Sequence, residues 1–122
     1  MFEIKDVPYP VVVNLEPGVY AADNIMPSSG KTYLYRLLRE YRQLGYPVYS
    51  YSFLEGTGTD MCIPEGTKLV MLDEFWRTDL SKYDFFKYKD AIILIDVKNK
   101  KIEGLKYCFF SREKDIFLIE EV

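Results

Sequence analysis

Ser28-Ser29-Gly30-Lys31-Thr32 is the stretch that decides the fold, because the period of the sequence changes across it. Ahead of it, Val19-Tyr20-Ala21-Ala22 is a short apolar run ending in Asp23-Asn24, and Ile25 to Gly30 carries Pro27, two serines and a glycine, the marks of a loop. Behind it, Leu34, Leu37, Leu38, Tyr41 and Leu44 recur at helical spacing, with Arg36, Arg39, Glu40 and Gln43 on other faces. Gly45 supplies a C-terminal cap, and Pro47 lies just beyond it. A helix opening at Lys31 and entered from a strand is therefore expected.

Working outward, Val11 to Leu15 is a β-type run, and Glu16-Pro17-Gly18 is a turn that predicts a hairpin with Val19 to Ala22. Pro47 to Phe53 reads as a strand, and Glu55 to Thr67, rich in Gly, Thr and Pro, as an exposed loop. Lys68-Leu69-Val70-Met71-Leu72 is continuously apolar and closes on Asp73-Glu74; Ala91 to Ile95 is similar and closes on Asp96. Continuous rather than alternating hydrophobicity suits strands covered on both faces, as in a parallel sheet. Asp79 to Lys89 is expected to be a helix with Leu80, Tyr83 and Phe86 turned inward, and Phe85 as a further inward candidate. Lys106 to Ser111 and Asp115 to Glu120 bracket Arg112-Glu113-Lys114, which predicts an antiparallel hairpin at a sheet edge. With no repeat or linker, the 122 residues read as a single α/β domain, 1–122.

Composition excludes several chemistries. Histidine is absent, which removes His-based zinc sites, Ser–His and Cys–His nucleophile pairs and histidine bases. The two cysteines, Cys62 and Cys108, stand far apart and fit a reducing compartment with both thiols free. Met1 to Val13 lacks a signal-peptide pattern, and the apolar runs are too short to span a bilayer, so a cytoplasmic protein without membrane contact is expected. The net charge of −3 argues against a nucleic-acid partner. Lys98-Asn99-Lys100-Lys101, with Lys87 and Lys89 upstream, reads as a solvated loop.

A polyphosphate needs clustered donors and positive charge. Backbone N–H groups of a tight loop, followed by a helix N-terminus, supply fixed partial positive charge. Gly30 allows a close backbone turn, Lys31 reaches terminal phosphate oxygens, and the Thr32 hydroxyl suits magnesium.

At these residues the chain resembles the P-loop NTPases, whose loop is a glycine, four residues and then Gly-Lys-Ser/Thr. Gly30-Lys31-Thr32 matches the ending, while Ile25 stands in place of the first glycine and Pro27 lacks a donor N–H. Leu69 to Glu74 is similar to the family's second motif, an apolar strand ending in an acid. The resemblance implies an α/β, three-layer P-loop-like domain with a mostly parallel central sheet and antiparallel edge hairpins. It also implies that the Ala91 strand lies between the two motif strands. By the same resemblance Ser28, Ser29, Gly30, Lys31 and Thr32 would bind the phosphates of ATP or GTP. Thr32 and Asp73 would hold Mg2+ (Asp73 through a water), Glu74 would act on the attacking water, and Asp96 would sense the terminal phosphate. An arginine completing such an NTPase would come from another subunit or partner, which leaves room for an oligomer. The alternative is a degenerate P-loop module that binds a protein partner without nucleotide turnover; Ile25, Pro27 and the small size favour it. Arg36, Arg39 and Arg42 read as a solvated helix face rather than a source of that arginine, and Trp76 either stacks on a base or covers the sheet edge.

Overall fold

A strand apolar on every residue has to be covered on both faces, and this requirement orders the sheet. A computed structural model describes residues 1–22, 28–97 and 102–122, with the backbone alone for residues 28–31. The strands are β1 (Phe2–Ile4), β2 (Val11–Asn14), β3 (Gly18–Ala22), β4 (Val48–Ser52), β5 (Leu69–Asp73), β6 (Ile92–Asp96), β7 (Lys106–Glu113) and β8 (Ile116–Glu121). Helix α1 spans Ser28–Gln43, and single 3-10 turns occupy Phe75–Arg77, Leu80–Lys82 and Phe85–Lys87. All eight strands form one sheet in the order β1-β2-β8-β7-β3-β6-β5-β4. β5 and β6, the two continuously apolar runs, are buried at every position and lie side by side in its interior. β3 pairs in parallel with β6 and β7, β6 with β5, and β5 with β4; β2 and β8 are also parallel, while β1–β2 and β7–β8 are antiparallel.

The expected three-layer α/β architecture is overturned. The sheet is mixed and curled like half a barrel, and among the described residues α1 is the one α-helix. Leu34, Leu37, Leu38 and Tyr41 of α1 pack on one face of the sheet, against Val48, Leu69, Met71, Ile92 and Leu94. Among the described residues no α-helix covers the other face. Tyr49, Tyr51, Phe53, Phe75 and Phe85 cover it together with Val70, Leu72, Ile93 and Ile95. Phe53 from the loop after β4, with Phe75 and Phe85 from 3-10 turns, thus does much of the covering that a helix would otherwise do.

Three local expectations fail for identifiable reasons. Residues 79–89 do not form an α-helix: Asp79 caps Ser81 through its side chain, and the backbone is extended again at Tyr83. Tyr83 and Phe85 stack on each other at 5.5 Å and both meet Phe75, an i, i+2 pairing that extended backbone allows and a helix does not. Phe86 is exposed instead of Phe85. β2 and β3 do not form a hairpin, because β8 and β7 stand between them; the Gly18 amide donates to Ala91 O and starts β3 along β6 instead. The β7–β8 hairpin forms as expected but sits in the sheet interior, and the unforeseen β1 takes that edge.

Helix α1 begins at Ser28, earlier than the apolar spacing indicates, and ends in a left-handed Gly45 (φ 99°). The Tyr46 amide donates to Tyr41 O and the Gly45 amide to Arg42 O, which closes the last turn. Among the described residues no helix is long and apolar enough to cross a membrane.

Leu38 is fully buried between α1 and the sheet. Leu38→Ala is expected to cost about 3 kcal/mol, from lost transfer free energy plus the cavity left behind, measured as a lower urea midpoint at unchanged slope.

Candidate phosphate-binding site

The register of the parallel strands brings four strand ends abreast. Ser52 stands opposite Asp73, and Ala22 opposite Asp96. Leu72 stands opposite Ile95, so the next residues along, Asp73 and Asp96, end neighbouring strands at one level. Alternation decides which face they occupy. Leu69 and Met71 of β5, Ile92 and Leu94 of β6, and Tyr20 and Ala22 of β3 all belong to the core beneath α1. Asp73 and Asp96 therefore project on the α1 face. On β4 the Ser50 hydroxyl donates to Tyr35 O of α1 at 2.9 Å, which puts Ser52 on that face too.

The chain leaves β3 at Ala22 and α1 starts at Ser28, so the helix opens at the carboxyl end of the strands and runs back over the sheet to β4. In its second turn, the Tyr35 hydroxyl donates to Glu55 Oε2 at 3.0 Å, just beyond the end of β4. Ser28, Ser29, Gly30 and Lys31 form the first turn of α1, and Thr32, half-buried, follows. The structure thus brings the start of α1, Asp73 and Asp96 to one end and one face of the sheet. Ile25 and Pro27, at the loop entrance, and Lys98 to Lys101 lie outside the described residues.

Buried carboxylates are costly unless hydrogen-bonded. Asp73 and Asp96 are about 5% and 6% exposed, few enough to need partners. Ser52 Oγ donates to Asp73 Oδ2 at 3.2 Å, and the Glu74 amide donates to Asp96 Oδ2 at 3.1 Å. Glu74 adopts left-handed backbone (φ 56°, ψ 31°) to make that contact, an uncommon conformation outside glycine. Its carboxylate accepts from Arg77 Nε at 3.4 Å, one turn on. The Arg77 guanidinium lies 4.5 Å from the Trp76 ring centre, so the indole is covered by its own neighbour.

Sequence reasoning missed Ser52 and Tyr35. Ser52 becomes legible only when β4 is set in register beside β5. Tyr35 lies at a core spacing of α1, and its hydroxyl tip gives no sequence signal. Beside them a cavity of about 390 Å³ opens between α1 and β4, lined by Tyr35, Arg39, Arg42, Tyr49, Ser52 and Glu55.

Asp73 and Thr32 carry hard oxygen donors of the kind magnesium takes, and Ser52 hydrogen-bonds Asp73. Among the described residues no three acidic or cysteine side chains gather as a metal cage. Magnesium is commonly held by one or two carboxylates plus the phosphates of its ligand rather than by an all-protein cage. No family description matches the chain, and no curated protein or solved structure shows a detectable likeness to it.

Burial pushes the Tyr35 phenol up to about 12, reinforced by its hydrogen bond to Glu55 and by the nearby charge of Asp73; Arg39 opposes them. The folded state then keeps a proton that the unfolded chain releases near pH 10, so this contribution to stability is complete below pH 10 and is lost as pH rises toward 12. Tyr35→Phe is expected to show a shallower fall in urea midpoint between pH 10 and 12 than the wild type; parallel curves would contradict it.

Proposed function

We propose that this chain binds ATP or GTP with magnesium at the carboxyl end of β3, β6 and β5. The observation that carries the reading is the row of Asp73 and Asp96, buried side by side on the face that α1 covers, at the end where α1 opens. Open sheets with parallel strands bind ligands beyond the carboxyl ends of those strands, and a helix start there favours phosphate. The strand order β3-β6-β5 supports the same reading, since the strand that leads toward α1 and the strand that ends in Asp73 flank the strand that ends in Asp96.

In this assignment the backbone amides of Ser28 to Thr32 and the Lys31 ammonium bind phosphate. Thr32 and, through a water, Asp73 hold the metal. Magnesium, when bound, neutralises phosphate charge and orients the terminal group. Asp96 faces the terminal phosphate, and Glu74 orients the water. Donors fixed before the ligand arrives stabilise developing charge at no reorganisation cost. Among the described residues Cys62 and Cys108 form no disulfide, which suits a reducing cytoplasm.

A second reading, a partner-binding module that holds nucleotide poorly or does not turn it over, is favoured by one observation. The Glu74 carboxylate is engaged with Arg77 rather than open to a water.

Melting with and without Mg-ATP or Mg-GTP tests the first reading. At a hundredfold excess over Kd the ligand is expected to add about 2.7 kcal/mol of stability, visible as a rise in Tm. Lys31→Ala abolishes that rise. An unchanged Tm with every nucleotide overturns the assignment in favour of the partner module. Where turnover is measurable, Glu74→Gln stops it while leaving the rise in Tm intact; hydrolysis persisting in that variant removes Glu74 from its role.

A further inference from the structure

One residue past Thr32, the Tyr33 side chain leaves the core and is 39% exposed. Its ring stacks on Phe117 with centroids 5.5 Å apart and planes 16° from parallel. Tyr9 meets it edge-on at 6.0 Å, and the Tyr41 hydroxyl, donating to Tyr9 O at 2.8 Å, anchors that segment. The Arg112 guanidinium lies over both rings, 4.9 Å from the centre of Phe117 and 5.7 Å from that of Tyr33. Among the described residues Arg112 enters no ion pair, so its charge is spent on the rings. Phe117 is buried and fixes the base of the stack, while Arg112 and Tyr33 present its outer surface to solvent.

The position of this stack relative to the strand ends is set by register. Ala22 pairs with Cys108, and β7 continues to Glu113, so Arg112 stands four residues past the end of β3, about 13 Å along the strand at its usual rise. Cys108 and Phe110 belong to the core beneath α1, and Arg112 follows them in alternation on the same face. The β7–β8 hairpin therefore rises as a wall beside the start of α1, with the stack on its inner side. The stack thus lies beyond the strand ends, on the side where α1 opens.

We infer that Tyr33 and Arg112, backed by Phe117, form the platform on which the purine base of the bound nucleotide stacks. The inference rests on the nucleotide reading above and adds the base subsite to it. Flat π faces and guanidinium planes both stack on bases, and purines offer the larger face. Phe117 and Tyr9 hold the Tyr33 ring before the ligand arrives, so little side-chain freedom is lost on binding.

Binding of Mg-ATP, Mg-GTP, Mg-CTP and inorganic tripolyphosphate with magnesium, measured by calorimetry on wild type, Tyr33→Ala, Tyr33→Phe and Arg112→Ala, tests the platform. The wild type is expected to prefer the purine nucleotides over CTP. Tyr33→Ala and Arg112→Ala weaken the purine nucleotides about tenfold or more, bring them level with CTP and leave tripolyphosphate unchanged. Tyr33→Phe retains wild-type affinity. Arg112 is exposed, so its variant keeps the fold if Tyr33→Ala does not. Unchanged purine affinity in Arg112→Ala, or an equal loss for tripolyphosphate, overturns the platform while leaving the phosphate site standing. A wild type that binds neither nucleotide nor tripolyphosphate overturns the nucleotide reading itself.

Discussion

Two aspartates end neighbouring strands inside the protein, and keeping both there constrains much of what surrounds them. A buried carboxylate without hydrogen bonds is unstable, so each needs a fixed donor. Asp73 takes one from Ser52 across the β4–β5 pair, which ties the register of the edge strand to the acid. Asp96 takes one from the Glu74 amide, which forces the chain leaving β5 into left-handed backbone. Such a conformation costs a non-glycine residue on the order of 1 kcal/mol and is held only where the surroundings demand it. The start of the Phe75–Arg77 turn, and with it the burial of Phe75, follows from that backbone.

Phe75 then nucleates the covering of the sheet face that α1 does not reach. It meets Phe53 at 5.4 Å, Tyr83 at 5.8 Å and Phe85 at 5.8 Å, and Tyr83 and Phe85 stack face to face. Aromatic rings bury much area per residue, so a few of them on short turns seal a face that α1 does not reach. The Tyr51 hydroxyl adds polar ties, donating to Asp60 and accepting from the Gly58 amide at 2.9 Å, which fastens the 53–60 loop to the same face. The site row and the aromatic face are thus mechanically joined through residues 73–75.

The parts of this structure legible in the sequence are those whose cause is local. Two-faced burial of Leu69–Asp73 and Ile92–Asp96 shows in unbroken apolar runs, and α1 shows in the spacing of Leu34, Leu37, Leu38 and Tyr41. Those runs end in acids, and that ending together with the resemblance to the P-loop motifs singles out Asp73 and Asp96. What escaped is set by distant pairing. Glu16-Pro17-Gly18 reads as a hairpin turn, yet β3 gains more by lying between β6 and β7, where both its faces are buried. The apolar spacing that predicts an α-helix over 79–89 serves equally for an i, i+2 aromatic stack. Ser52 and Tyr35 carry no motif, and their places follow only from register and helix orientation.

Glu74 illustrates how backbone and side chain divide control of one residue. Its ion pair with Arg77 is partly exposed, 26% on the acid and 42% on the base, and such a pair contributes at most about 1 kcal/mol. Arg77 alone therefore holds the carboxylate only weakly, and rotating it away costs little. The backbone is fixed more firmly, since the Glu74 amide is the donor to the buried Asp96. Glu74 is thus tied at its amide to Asp96 and at its carboxylate to Arg77, while Asp73 is tied to Ser52.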